Sequence, residues 1–346
     1  MKTKFSFMAM MAAFAVCCGI VSCQKVIVET NESESEYYTV NLGMAGDILE
    51  VIESSLTRAG EGTDLYGIQV YSAPNKDLPE GQSVTWTNYA YGLFASDKEI
   101  TINLLKGKKY KFVATMIVDG QNRIQTASGN KYYAPFNVSG TNSGQISTGT
   151  AFIYQHADYL AGLASGNAFL NGSTYGIFNH PNLERYYGEL LDYIPGKHGD
   201  KALIKMKRTS FGAKFIAKGK LAKEGQLEVQ MTEAPKMMVD LATNEKKVED
   251  IFSFGNVKKA YENNNYTETI AVTLNWHRPD GTVFPLGTHD VTFKRNKMST
   301  VQVTIETENA EGELGIEIDD TDMTEDDEIT NIEDGELVDT DVDTNA

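Results

Sequence analysis

Apolar and polar residues alternate with a period of two along most of the chain between residues 37 and 307. Successive side chains of a β-strand point to opposite faces, so this alternation predicts strands with one buried and one solvated face. The clearest runs are "YYTVNLGM" (37–44), "LYGIQVYS" (65–72), "EITINLLKG" (99–107), "KKYKFVATMIVDG" (108–120), "ALIKMKR" (202–208), "FGAKFIAKG" (211–219), "GQLEVQM" (225–231), "TETIAVTLNWH" (267–277), "DVTFKRN" (290–296) and "STVQVTIET" (299–307).

Short polar turn sequences separate these runs. "ITINLLKGKKYKFVATM" is predicted to form a hairpin that turns at "KGKK", and "AVTLNWHRPDGTVFPLGTHDVTF" a hairpin with Pro-Asp-Gly at its turn. Many short strands joined by polar turns are typical of β-sandwiches. The predicted fold class is therefore all-β, with two tandem β-sandwich domains.

The middle of the chain is less regular. The aromatic-rich segments 152–166 and 180–196 predict one or two short helices or a long excursion between strands. Proline, glycine and charge cluster in "PGKHGDK" (195–201), which predicts a boundary between an N-terminal domain, 37–200, and a C-terminal domain, 201–307.

The charge of the chain is concentrated in its last residues. The net charge is −17, from 48 acidic and 31 basic residues. Residues 308–346 hold 17 of the acidic residues and no Lys or Arg, which leaves 31 of each sign before them. A neutral body without a basic patch makes nucleic acid an unfavourable ligand. The acidic tail, 308–346, is predicted to be disordered.

The first residues are typical of an export signal. Two lysines precede the apolar run "FSFMAMMAAFAV", which fits a secretory signal peptide better than a membrane span. "IVSC" resembles the lipobox of bacterial lipoproteins, so a signal peptide over 1–22, lipidation at Cys23 and a polar spacer over 23–36 are expected. Gln24 is compatible with transfer to the outer membrane. An ordinary secreted protein with a free Cys23 is the alternative.

Motifs for catalysis and cofactors are missing from the sequence. The histidines are far apart without H-E-x-x-H, "GLASG" places its serine one position late for a nucleophile elbow, and neither a P-loop nor a dinucleotide-binding glycine motif is present. Cysteine occurs only at Cys17, Cys18 and Cys23, so the chain after Cys23 has no cysteine for a disulfide or a metal site. We expect no cofactor, no metal and no enzymatic activity.

Several modest motifs in a fixed order resemble the fimbrillin family of pilins and pilus-associated lipoproteins. They are "IVSC", "LTRA…DLYGIQVY", "YAYGLF" (89–94), "MKRTSFGAKFIAKG" and "VTFKRNKMSTVQVTIE". The resemblance implies two transthyretin-like β-sandwich domains, a lipid-anchored precursor in the outer membrane, and a pilus or adhesion function.

The resemblance also implies a maturation site and an exchangeable strand. Family members are cut after an arginine in the loop that follows the first strand, which here places the cut between Arg58 and Ala59. The removed strand would span about 37–49, with Tyr38, Val40 and Leu42 on one face. A strand from another subunit would then fill the groove by β-augmentation. The alternative is that Arg58 is an ordinary loop arginine.

The tail offers a donor strand for such an exchange. "GELGIEID" (312–319) places Leu314, Ile316 and Ile318 on one side, and 329–338 is a poorer second choice. Dense carboxylates are expected to keep the segment unpaired until it meets a partner, either another pilus subunit or a second copy. The alternative is a solvated tail without such a role.

Two further functional classes remain open at this stage. A carbohydrate-binding outer-membrane lipoprotein of a glycan-uptake system would use exposed aromatic residues, with Trp86, Trp276 and the tyrosines of 154–193 as candidates. A secreted hydrolase would need an acid pair in a cleft, for which Glu184 and Glu189 are candidates.

Overall fold

A computed structural model describes residues 36–46, 62–76, 79, 81–174, 176–220, 222–305 and 316–323. Apart from Glu36, these residues belong to one compact unit, Tyr37–Ala346. Strands dominate, and the described helices are two short ones, so the all-β fold class is confirmed. None of the described helices is long and apolar enough to cross a membrane.

The first half of the chain builds one seven-stranded sheet and a long excursion. In chain order its elements are β1 (Tyr37–Gly46), β2 (Leu65–Pro74), β3 (Thr87–Phe94), β4 (Thr101–Leu105), β5 (Lys108–Ile117), α1 (Gly120–Arg123), β6 (Thr126–Ala127), β7 (Lys131–Tyr132), β8 (Val138–Ser139), β9 (Tyr159–Leu160), β10 (Ala168–Phe169), β11 (Ile177–Phe178), β12 (Arg185–Tyr193) and β13 (Asp200–Arg208).

The strand order of the large sheet is β3-β2-β5-β12-β13-β1-β4. Residues from both ends of this order, such as Ile68 of β2 and Ile102 of β4, share one apolar core, so the sheet folds over onto itself as a sandwich. β1 runs parallel to β13 and antiparallel to β4. The strand that follows β1 in the sequence, β2, lies elsewhere in the sheet, between β3 and β5.

The excursion between β5 and β12 covers the second face of the sheet. It forms three two-stranded ladders, β6–β7, β8–β9 and β10–β11, and packs a second apolar cluster against β2, β3 and β5. β2 is consequently buried at nearly every position. A Cβ atom at Gly67 would lie 2.8 Å from the ring of Phe136, so only glycine lets this ring rest on the strand. For the aromatic-rich segments in the middle of the chain, the sequence predicted either short helices or a long excursion, and the structure has the excursion. Within 180–196 the chain forms strand β12 and no helix.

β4 and β5 do not form the predicted hairpin. A turn at Lys106–Gly107 joins them, but β4 pairs with β1, whereas β5 pairs with β2 and β12. Both strands direct apolar side chains into the same core, Leu104 from β4 and Phe112 from β5. The turn therefore carries the chain from one layer of the sandwich to the other.

The first sheet extends past the predicted domain boundary. Strand β13 begins at Asp200 and pairs with β1 and β12 as far as Arg208. The segment 195–201 is thus a connection between two strands of the same sheet. The division of the chain into two domains remains a prediction.

The second half is a sandwich of two four-stranded sheets around one apolar core. Their orders are β17-β14-β20-β21 and β16-β15-β18-β19, and β18 and β19 form the hairpin that Pro279-Asp280-Gly281 was predicted to turn. The elements are β14 (Ser210–Lys218), β15 (Gln226–Met231), β16 (Met237–Asp240), β17 (Lys247–Ser253), α2 (Val257–Glu262), β18 (Thr267–His277), β19 (Val283–Lys294), β20 (Lys297–Thr304) and β21 (Ile316–Asp322).

Candidate strand-exchange groove

β1 occupies an internal slot whose walls come from distant parts of the chain. Val40 lies opposite Ile102 of β4 on one side and Asp200 of β13 on the other. Both walls are far from β1 in sequence, and β1 is joined to β2 only through residues 47–64. A strand placed in this way fills a gap in the sheet without being part of a hairpin.

Alternate side chains of β1 enter the core. The exposed fractions of Val40, Leu42 and Met44 are 0%, 6% and 8%, and Tyr38 is half-buried on the same face. Burial of one such aliphatic side chain contributes about 1.5–3 kcal/mol. The face that carries Tyr38, Val40 and Leu42 in the sequence prediction is therefore the buried one, and Met44 extends it.

A hydrogen bond fixes the beginning of β1, and a close approach of two backbone segments fixes its end. At its beginning, the backbone N–H of Thr39 donates to Nδ1 of His198 at 3.1 Å, and the His198 ring contacts the edge of the Tyr38 ring at 5.4 Å. At its end, Gly46 has a φ of 84°, and a Cβ atom there would lie 2.4 Å from the carbonyl oxygen of Met206. The register of β1 is thus set by contacts at both ends as well as by its apolar face.

The predicted cleavage site and lipidation site lie outside the described residues. This applies to Cys23, Arg58 and Ala59, and also to Leu314 of the donor segment. Along the chain, Arg58 falls between the last residue of β1, Gly46, and the first residue of β2. A cut there would break the covalent connection between β1 and the other strands of the sheet, and all other described strands would remain on one chain.

The acidic tail supplies a strand, which corrects the expectation that its donor segment stays unpaired. β21 pairs antiparallel with β20, with Ile316 opposite Val303 and Ile318 opposite Val301. Ile318 is 46% exposed, because β21 lies at the end of the strand order. The described part of the predicted donor segment, residues 316–319, therefore belongs to a strand that is docked on its own chain. Residues 312–315 and 324–346 lie outside the described part.

Lysines of the β19–β20 turn explain why this acidic strand pairs. Nζ of Lys294 contacts Asp320, Nζ of Lys297 contacts Asp322, and Oγ of Ser299 donates to Asp320 at 2.8 Å. Partial burial opposes ionisation of Asp320, but the bonds from Lys294 and Ser299 and the charges of both lysines outweigh it. The pKa of the Asp320 carboxyl is consequently lowered from its ordinary value. These contacts compensate the negative charge where the strand docks.

The two tryptophans considered for a carbohydrate site lie in different halves of the chain, Trp86 before β3 and Trp276 in β18. Trp276 is 5% exposed, belongs to the core of the second sandwich, and carries the guanidinium of Arg278 at 4.6 Å from its ring, so it offers no saccharide platform. Trp86 is half-buried, with Nζ of Lys109 at 5.8 Å from its ring.

Of the acid pair considered for a hydrolase, Glu184 lies directly before β12 and Glu189 lies within it. Glu184 accepts from the hydroxyl of Tyr186, and Glu189 accepts from Tyr187 and from Lys258. Because neighbouring side chains of a strand point to opposite faces, the two carboxylates diverge. Within the described residues there is also no cluster of three metal-ligating side chains.

Sequence patterns identified the buried face of β1 but not the walls of its slot. β4 and β13 meet β1 through long-range pairing, and local alternation gives no information on which distant strands pair. His198 and the tyrosines that contact β4 were missed for the same reason.

Comparisons with known proteins give low-identity structural similarities. Neither a protein-family model nor a curated protein sequence matches the chain. Among solved structures, the fimbrial anchor protein Mfa2 from Porphyromonas gingivalis is 7% identical, with a TM-score of 0.37, over 83% of this chain and 98% of that one. The tip fimbrial protein Mfa3 from the same organism, truncated at its C-terminus, is 9% identical, with a TM-score of 0.31, over 83% and 99%.

A proposed cell adhesion protein from Bacteroides eggerthii is 11% identical to the chain, with a TM-score of 0.37, over 83% of this chain and 96% of that one. At these identities and TM-scores, conclusions about function depend on the residues of the chain itself.

Proposed function

We propose that this chain is a fimbrillin-like cell-surface lipoprotein that serves as a pilus subunit or pilus-associated adhesin and assembles by strand exchange at the β1 slot. The observation that carries the proposal is the placement of β1. It supplies Val40, Leu42 and Met44 to the core, yet it is tied to the remaining sheet by the single connection that contains Arg58.

Cleavage between Arg58 and Ala59 would make the exchange possible. Loss of β1 would expose apolar side chains of the core. It would also leave one row of backbone N–H and C=O groups unpaired on β4 and another on β13. A strand from a partner subunit would replace both kinds of contact, with hydrogen bonds supplying affinity and alternate side chains supplying register. The donor would be the tail segment of another subunit, with Leu314, Ile316 and Ile318 as the inserted residues.

The proposed location follows from Cys23. Lipidation there would anchor the precursor in the outer membrane before maturation, and the released protein would join a surface appendage. The proposed work of the chain is assembly and adhesion without catalysis.

The N-termini of the protein in cells test the proposal. Mass spectrometry of surface-shed and membrane fractions is expected to find a chain that starts at Ala59, and Arg58→Ala is expected to abolish it. Glu61→Gln, a nearby change that keeps the arginine, should be processed normally. If the chain starts only at lipidated Cys23 in both fractions, β1 stays in place and strand exchange by this route is wrong.

A further inference from the structure

β4 depends on β1 for all of its ladder hydrogen bonds. It lies at the end of the strand order, and β1 is its only partner among the described strands. The turn at Lys106–Gly107 does not hold it beside β5, because β5 lies in the other layer. If β1 left, β4 would keep no strand partner, although it forms one wall of the groove.

Tyrosine hydroxyls hold the opposite edge of β4. Since Leu42 N–H donates to Ile100 O, the alternation of an antiparallel ladder directs the backbone groups of Asn103 and Leu105 away from β1. The hydroxyl of Tyr154 accepts from the N–H of Asn103 at 2.8 Å, and that of Tyr89 donates to its carbonyl oxygen at 2.7 Å. The hydroxyl of Tyr110 donates to the carbonyl oxygen of Leu105 at 3.1 Å.

These three tyrosines form one aromatic cluster, and none of them belongs to β1. Tyr89 belongs to β3, Tyr110 to β5 and Tyr154 to the excursion, and the Tyr89 ring meets the rings of Tyr110 and Tyr154 edge-on at 5.1 and 5.6 Å. Burial raises the pKa of all three hydroxyls. They are therefore protonated at neutral pH and able to donate.

The core side of β4 is also anchored without β1. Ile100, Ile102 and Leu104 are 3%, 1% and 0% exposed and pack with residues of β2, β3 and β5. Apolar contacts of this kind allow a strand to slide or tilt, whereas hydrogen bonds to Asn103 and Leu105 fix its position along the edge.

We propose that Tyr89, Tyr110 and Tyr154 act as positioning residues that hold β4 in place when β1 is absent, so that the groove is preformed for an incoming strand. Their hydroxyls also occupy the edge of β4 that faces away from β1. An incoming strand can therefore pair with β4 only on the edge that β1 vacates. This inference rests on the proposed strand exchange for its biological use, but the positioning of β4 is a property of the single chain.

Hydrogen exchange in the intact, uncleaved chain tests the inference. Leu42→Ala removes buried methyl groups from β1 and should raise the exchange rate of 37–46 by at least about tenfold, because it leaves a cavity beneath the strand. The N–H groups of Ile102 and Leu104 face β1 and should accelerate with it, whereas the N–H of Asn103, which donates to Tyr154, should change by less than about threefold while the tyrosines are present. Leu42→Ala/Tyr89→Phe/Tyr110→Phe keeps this acceptor but removes two donors to β4, so the Asn103 amide should then also exchange at least about tenfold faster.

Tyr71→Phe is the matched control. Tyr71 lies on β2 and packs on the other face of the sheet, so Leu42→Ala/Tyr71→Phe should behave as Leu42→Ala alone. If Leu42→Ala does not fold, low denaturant can open β1 in the otherwise unchanged chain, and chains with and without the Tyr89→Phe/Tyr110→Phe pair are compared.

Two results would overturn the inference: the Asn103 amide accelerating together with 37–46 while all tyrosines are present, or the Asn103 amide staying protected in the triple variant. Either result leaves the cleavage test at Arg58 unaffected. Conversely, a chain that is never cut in cells can still show the tyrosine-dependent protection, so failure of one proposal is distinguishable from failure of the other.

Discussion

At the scale of single residues, Arg185 holds the excursion on the sheet. Its guanidinium is fully buried and donates to the hydroxyl of Thr115 and to the carbonyl oxygens of Gly162 and Leu163, at 2.9, 3.0 and 3.0 Å. Burial lowers the pKa of Arg185 to about 9, so the group remains charged at neutral pH. The carbonyl oxygens of an irregular segment thus receive their hydrogen bonds from one side chain.

Arg185→Met is expected to destabilise the protein by about 2–4 kcal/mol, since it leaves several buried acceptors without donors. Urea unfolding should show the loss, and limited proteolysis should cut the segment around residue 163 first. Lys205→Met, at an exposed position of β13, is the control and should change stability by less than about 0.5 kcal/mol. Equal stability of the Arg185 variant would contradict this role.

Gly46 illustrates a backbone requirement at the end of β1. Gly46→Ala combines a positive φ with a Cβ atom that would lie 2.4 Å from Met206 O. We expect a cost of at least about 1–2 kcal/mol, which weakens docking of β1 specifically. Hydrogen exchange should accelerate in 37–46 and remain unchanged in 226–231 of the second sandwich. Gly107→Ala is the control, because φ is also positive at Gly107 but no atom lies near its Cβ position. It measures the cost of backbone strain without the steric clash that Gly46→Ala adds.

At the scale of elements, the docked tail strand is held by charge. The folded-state pKa of Asp320 is lowered from its ordinary value of 3.8, so its pairing stabilises β21 fully above that value and loses this contribution as the pH falls through the folded pKa. We expect 316–322 to become more accessible in acid and at high salt. Hydrogen exchange of 316–322 at pH 7 and in acid measures this change.

Asp320→Asn should release β21 at neutral pH as acid does, whereas Asp319→Asn should not, because Asp319 lies opposite Thr300 on the other face. A tail that stays equally protected in both variants and at all salt concentrations would show that the backbone ladder to β20 alone holds it.

Alternation predicted individual elements well and their pairing poorly. β1, β2, β4, β5 and β20 lie where the period of two placed them, since each has at least one face in a core. The β4–β5 hairpin was wrong because its turn joins two layers, and β12 was ambiguous because burial on both faces removes the alternation. The slot of β1 depends on parallel pairing with β13, which lies well over a hundred residues away in the sequence. Local alternation of apolar and polar residues carries no signal of such a distant pairing.

At the scale of the whole molecule, the chain combines a body without net charge, an acidic tail, and the β1 slot at which we propose strand exchange. Cleavage after Arg58 breaks one covalent connection and no described hydrogen bond of the β1 slot. The cut chain should therefore keep residues up to Arg58 bound through β1, and should lose them only when another strand competes or denaturant opens the slot.

This behaviour can be measured on the protein after proteolysis at Arg58. A labelled peptide of residues 36–46 in molar excess should enter the slot slowly and should displace the cut segment, which mass spectrometry of the intact complex would count. The same peptide with Val40→Asp and Leu42→Asp should not enter, because two carboxylates would be buried without partners. Immediate loss of the cut segment would show that β1 stays in its slot only through the covalent connection. Equal entry of both peptides would show that apolar side chains do not select the incoming strand, and the proposed exchange would then be wrong.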